Sequence, residues 1–221
     1  MIYDAIIFDC DGVLVDSEIL GLDDCAAYLK GHGLDWTPAD LVRLFTGLRD
    51  DVFSARLTEA YRQANDREPP DDFFDGLVEQ RRKRREELQQ VAGAEETLRK
   101  ITRPKAVASS SRAVFLESKL KRTGLWELVA PHVYSGEAVA NGKPAPDIFL
   151  YAAERLGAEP GRCLVIEDSA NGVLAARAAG MTVCGFLGGG HCFEGHGARL
   201  EAAGAHWTAP DFSALLVDLG A

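Results

Sequence analysis

No stretch of this chain approaches the roughly 20 consecutive apolar residues that a membrane span needs. Cysteine is sparse and unpatterned. There are five, an odd number without a CxxC pair, and Cys163 and Cys184 lie inside apolar runs where small buried thiols are common. Basic residues are outnumbered, 24 Lys and Arg against 34 Asp and Glu. The resulting net charge of −10 excludes a surface whose main task is to bind a nucleic-acid backbone. An apolar strand begins at Ala5, so no signal peptide is expected. These absences lead us to expect a reduced, cytoplasmic protein. What remains is a composition of 47% hydrophobic and 26% charged residues over 221 positions, that of a globular chain with one large or two unequal domains.

The most informative stretch runs from Ala5 to Ser17. Ala5-Ile6-Ile7-Phe8 is a short apolar run of the kind buried on both faces in a parallel sheet. It ends on two carboxylates, Asp9 and Asp11, followed by Gly12. In extended backbone, residues two apart project to one side, so both acids face one site about 6–7 Å apart. Open α/β sheets bind ligands at this carboxyl edge. An acidic surface turn does not explain two like charges held so close to a hydrophobic strand.

Between Ser17 and Gln90 no strand signal appears. Helical spacing covers 17–30, a Thr37 cap with Pro38 and Asp40 starts a second helix, and further helices are expected over 51–64 and 71–90. From Val91 the pattern alternates. Strands are expected at 105–109, 132–135, 163–167 and 182–187, and helices at 94–101, 112–122, 147–157, 169–179 and 211–219. We therefore expect an α/β fold, a doubly wound, Rossmann-like parallel sheet built from residues 1–16 and 91–221. A smaller all-helical domain, residues 17–90, is inserted after the first strand.

The strand ends collect Asp9 and Asp11, then Ser109-Ser110-Ser111, then Lys143, then Glu167-Asp168. Parallel strands share one carboxyl edge, so these groups converge. Four facing carboxylates repel unless a cation lies among them, and an all-oxygen set favours Mg²⁺ over zinc or copper. Hydroxyls and free N–H groups at a helix start suit a phosphate, and Lys143 supplies compensating charge. Together they point to phosphoryl transfer with an aspartate as acceptor.

Phe8-Asp9-Cys10-Asp11-Gly12-Val13-Leu14-Val15-Asp16-Ser17 resembles the first motif of the haloacid dehalogenase-like superfamily. Ser109, Lys143-Pro144-Ala145-Pro146-Asp147 and Glu167-Asp168-Ser169 resemble its second, third and fourth motifs, in order. The helical insertion resembles the cap of the subgroup holding sugar-phosphate phosphatases and β-phosphoglucomutase. The resemblance implies Asp9 as nucleophile and Asp11 as general acid and base. It gives Ser109, Lys143 and the Ser110 backbone to the phosphoryl group. Mg²⁺ would be held by Asp9, the Asp11 carbonyl and Asp168, with Glu167 as ligand or near neighbour. The implied activity is Mg²⁺-dependent hydrolysis of a small phosphate monoester, with sugar phosphates foremost.

A phosphosugar mutase is the alternative, but the position of its gating histidine holds Gly21 here, and the Arg49 context is one residue tighter than the mutase pattern. A receiver-like signalling module would carry its phosphorylated aspartate on the third strand and no inserted cap. Within the insertion, Arg49 beside Gly47 is the candidate for touching substrate. Cys10 should point away from the acids. The run from Arg81 to Arg85 is flanked by Glu79, Glu86 and Glu87 and reads as a solvated, ion-paired face. His191, Cys192 and His196 lack a fourth ligand and read as loop residues.

Overall fold

Ala5–Phe8 forms strand β1, and all four residues are fully buried. Removing Ile6, Ile7 and Phe8 from water stabilises the fold by about 1.5–3 kcal/mol each. In the computed structural model, which describes residues 3–45 and 50–220, the next strands are β2 (Lys105–Ser109), β3 (Val133–Ser135), β4 (Cys163–Glu167), β5 (Thr182–Phe186) and β6 (Trp207–Ala209). They form one parallel sheet in the order β3-β2-β1-β4-β5-β6. Successive connections run from β1 toward β2 and β3, then back across to β4, which makes β1 the point where the winding reverses. Register sets Phe8 between Val107 and Ile166, so Asp9 leaves the sheet at its centre. The expected doubly wound parallel sheet is thus observed.

Helices α1 (Leu22–Gly31), α2 (Pro38–Phe45), α3 (Asp50–Asn65) and α4 (Phe73–Lys83) lie between β1 and β2 in the chain. They are followed by α5 (Ala94–Lys100), α6 (Ala113–Arg122), α7 (Trp126–Val129), α8 (Asp147–Leu156), α9 (Ala170–Ala178), α10 (His196–Ala202) and α11 (Phe212–Leu219). One sheet face packs Ala5, Ile7, Val165 and Val183 against Ile148 and Phe149 of α8 and Val173 and Ala176 of α9. The chain divides into two compact units, Met1–Ser17 with Gln89–Ala221, and Glu18–Leu88. The second has its own core of Leu29, Leu57, Tyr61 and Phe73, with the two rings edge-on at 5.0 Å.

Local chemistry sets several boundaries. Thr37 Oγ1 accepts the Asp40 N–H (3.1 Å) while Asp40 Oδ2 accepts the Thr37 N–H (3.0 Å), a reciprocal cap that fixes the start of α2. Helix α1 begins at Leu22, five residues later than its apolar spacing suggests, because Gly21 precedes it in the left-handed region at φ 69°. The long helix expected over 71–90 ends as α4 at Lys83. Beyond it, Arg84 pairs with Asp24 (2.5 Å) and Glu87 (2.9 Å), and the basic run is exposed as expected. The tail holds β6 and α10, which the sequence pattern did not reveal. Arg49 lies outside the described residues. No helix among them is long and apolar enough to cross a membrane.

Candidate active site

Asp9 ends β1 with only 7% of its surface exposed. Lys143, reaching in from the loop between β3 and α8, donates to Asp9 Oδ1 (2.6 Å), Glu167 Oε1 (2.7 Å) and the Ala108 carbonyl (3.1 Å). An ammonium has three donors, so this set uses all of them. Burial works against the charge on Lys143, but Asp9 and Glu167 outweigh it and hold the ammonium above its ordinary pKa. Asp9 moves the other way. Burial first, opposed by Lys143, and then the negative charges of Glu167 and Asp11 push its carboxyl up to about 7.

Asp11 sits in a different environment two residues on. Its carboxylate accepts from Ser111 Oγ (2.7 Å), lies 3.5 Å from Ser109 Oγ, and is also bound by Ser17 Oγ and by Lys119 of α6. Burial raises the Asp11 pKa, yet Lys119 and the Ser17 and Ser111 hydroxyls more than reverse this, leaving it below the usual carboxylate value. Two neighbouring acids of one strand end are thereby driven apart in proton affinity, Asp9 upward and Asp11 downward.

Ser109 ends β2, buried, with Oγ accepting the Ser111 N–H (3.0 Å), while the Ser110 side chain is exposed. The first turn of α6 is less open than the sequence suggested, since Glu137 Oε2 accepts the Ala113 N–H (2.9 Å). Glu167 gives its second oxygen to the Ser169 N–H (2.8 Å) and Oγ (2.9 Å). Ser169 caps α9 by accepting the Gly172 N–H (3.1 Å). Carboxylate oxygens of Asp9, Glu167 and Asp168 lie within 4.8 Å of one another, all three residues buried. This oxygen-only set suits a hard divalent cation, and Lys143 offsets part of its charge. Both Glu167 oxygens are engaged, one by Lys143 and the other by Ser169.

Cys10 is buried, and burial pushes its thiol well above the ordinary value, which removes it as a nucleophile at neutral pH. Lys119 and Ser17 were missed by the sequence reading. His191 lies in the loop after β5, as read, while His196 opens α10; both are buried, 0% and 5% exposed, and His191 Nε2 lies 2.8 Å from Asp168 Oδ2. The available signal was the Gly188-Gly189-Gly190 run before His191, a mark of close backbone approach.

A family model described as haloacid dehalogenase-like hydrolase matches residues 3–180. The chain is 36% identical over 189 residues to a "Probable pseudouridine-5'-phosphatase" of Drosophila melanogaster, covering 80% of this chain and 78% of that protein. A phosphorylated carbohydrates phosphatase of Thermotoga maritima is 33% identical over 183 residues, covering 80% of this chain and 82% of its own. Against the bifunctional riboflavin kinase/FMN phosphatase of Arabidopsis thaliana identity is 30% over 80% of this chain, which spans 47% of that longer protein. Among solved structures, a HAD family hydrolase from Deinococcus radiodurans R1 with bound phosphate and sodium superposes with a TM-score of 0.86 at 36% identity, covering 99% of this chain and 95% of that one.

Proposed function

The chain belongs to the haloacid dehalogenase-like hydrolases, and on that premise we propose that it is a Mg²⁺-dependent phosphatase of small phosphate monoesters, sugar phosphates foremost. The observation that carries this reading is the pair of environments around Asp9 and Asp11, one acid buried against Lys143, the other held by Lys119 and hydroxyls. The phosphatases among its relatives support the reaction class.

Asp9 attacks phosphorus, forming an Oδ–P bond as the bond to the leaving oxygen breaks. An anion approaching a phosphate dianion meets roughly 4 kcal/mol of repulsion per charge pair at ~4 Å and an effective dielectric of 20, about a thousandfold in rate. Asp9, Asp168 and the Asp11 carbonyl would hold Mg²⁺, which when bound would supply positive charge that offsets this repulsion. Lys143 keeps Asp9 aimed and spreads the remaining charge, and Ser109 with the Ser110 N–H holds the phosphoryl group. Asp11, whose lowered pKa leaves it ionised in the free protein, has to take up a proton with the incoming phosphate monoester; it gives that proton to the departing alkoxide, then takes one from the water that cleaves the aspartyl-phosphate, restoring Asp9 and releasing inorganic phosphate.

The test is phosphate release from a panel of phosphorylated sugars, nucleosides and organic acids, with EDTA and with Mg²⁺, for wild type and Asp9→Asn. Release is expected only from wild type with Mg²⁺, and beryllium fluoride should bind wild type but not the folded variant. Full activity in chelator, or in Asp9→Asn, would replace this mechanism with another.

A further inference from the structure

Asp168 is held at two points by residues that follow β5. Its carboxylate Oδ2 lies 2.8 Å from Nε2 of His191. Its backbone carbonyl lies 2.6 Å from Nε2 of His196, whose Nδ1 is 2.9 Å from Arg199 Nη2. A guanidinium only donates, so Nδ1 of His196 accepts, and the proton on Nε2 points at the Asp168 carbonyl. His191, Cys192 and His196 do bring donor atoms within 4.8 Å. With the His196 nitrogens committed to Arg199 and Asp168, and Nε2 of His191 on Asp168, they serve this acid rather than a metal of their own.

The imidazole of His191 is seated by glycines. A Cβ at Gly12 would lie 2.6 Å from its Cε1 and 2.0 Å from Asp168 Oδ2. One at Gly189 would lie 2.8 Å from the same ring carbon and 2.5 Å from the Gly12 carbonyl. Gly190 N–H donates to Asp16 Oδ1 (3.0 Å), so the loop after β5 is pinned onto the turn after β1. Two loops from opposite ends of the chain thus close around one histidine, and that histidine touches one of the acids assigned above to the cation.

We propose that His191 and His196 are positioning residues: they clamp the side chain and the main chain of Asp168 and so preset the orientation in which it meets the cation. The inference rests on the metal reading above. A carboxylate whose plane is already fixed loses little freedom on coordination, and removing such outer partners typically weakens metal binding about 10–100-fold.

The test is calorimetric Mg²⁺ binding to the full chain without substrate, compared for wild type, His191→Phe and His191→Gln. Phe fills the ring's place without a donor, whereas Gln restores an N–H. We expect Mg²⁺ binding about tenfold or more weaker in His191→Phe, with Gln recovering part of the loss. In turnover, the Mg²⁺ requirement should rise while substrate KM at saturating Mg²⁺ stays unchanged. If His191→Phe does not fold, His191→Met carries the same comparison. A folded donor-less variant that binds Mg²⁺ within twofold of wild type overturns this inference alone. Absence of Mg²⁺ binding by wild type overturns the metal reading and this inference with it.

Discussion

Lys119 forms an ion pair with Asp11 although 108 residues separate them, and its Nζ also donates to Ser111 Oγ (3.1 Å). This cation belongs to none of the four motifs, yet it faces the group proposed to move the protons. Asp11 therefore has its charged form favoured, an effect present above the unfolded carboxylate pKa and lost as pH falls through the lower folded value.

Replacing Lys119 with Met should raise the Asp11 pKa, since burial then acts unopposed by the ammonium. Fewer molecules would carry the deprotonated base at pH 6 than at pH 8. The acidic limb of phosphate release, measured at saturating Mg²⁺, should move up by about one unit. An unmoved limb would mean that Asp11 is not the base.

Asp9 titrates on the opposite side. Its folded pKa of about 7 is above the unfolded value, so the folded protein without metal retains a proton through that window and loses stability as pH rises toward 7. Coordination needs the carboxylate and must expel the proton. Apparent Mg²⁺ affinity should therefore fall about tenfold per pH unit below 7 and level off above it. Calorimetry in buffers of different ionisation enthalpy should find about one proton released at pH 6. Constant affinity from pH 5.5 to 7 would contradict this.

Lys143→Met leaves Asp9 and Glu167 facing each other in the interior without their shared cation. Breaking a buried pair in this way costs about 3–5 kcal/mol. Urea unfolding in EDTA at pH 8 should show a loss of this size. Part of it should return at pH 6, because protonating Asp9, whose carboxyl burial already pushes up, relieves the repulsion. Wild-type stability at pH 8 would show that Lys143 does not organise the site.

Gly21 bears on hydrolysis against isomerisation. Its φ of 69° disfavours any side chain, and a Cβ there would lie 3.1 Å from the Arg81 Cα and the Gln80 carbonyl of α4. A side chain at this position would be strained, and glycine supplies no group to gate Asp11, so water attack on the phosphorylated Asp9 should need no bound sugar. With β-glucose 1-phosphate, a trace of glucose 1,6-bisphosphate and Mg²⁺, inorganic phosphate should accumulate without net glucose 6-phosphate. Glucose 6-phosphate forming much faster than phosphate would establish a mutase.

How legible the molecule was in its sequence depended on how local each signal is. β1, β2, β4 and β5 are apolar runs bounded by turns or acids, and their burial follows from that alone. The Thr37–Asp40 cap is likewise local. α10 lies in the Gly- and Ala-rich stretch from Gly188 to Ala205 and β6 just after it, where neither period stands out. Lys119 is one of three basic residues closing α6. Its neighbour Lys121 takes the ordinary helical partner Glu117 (2.6 Å), and only the assembled sheet turns Lys119 toward Asp11. His191 acquires its role through Gly12 and Asp168, both remote in sequence.

The chain leaves the sheet after Ser17 and returns at Gln89, and the two ends of that excursion are bonded to each other. Asp16 N–H donates to the Gln89 carbonyl (3.0 Å) and Val91 N–H to the Leu14 carbonyl (2.9 Å), with Val15 and Gln90 bridged antiparallel between them. The excursion from Glu18 to Leu88 therefore opens and closes through a short doorway whose width these hydrogen bonds set. Exchanging one insertion for another with closely spaced ends thus leaves the doorway's hydrogen bonds in place and adds little closure entropy, which grows only slowly with loop length.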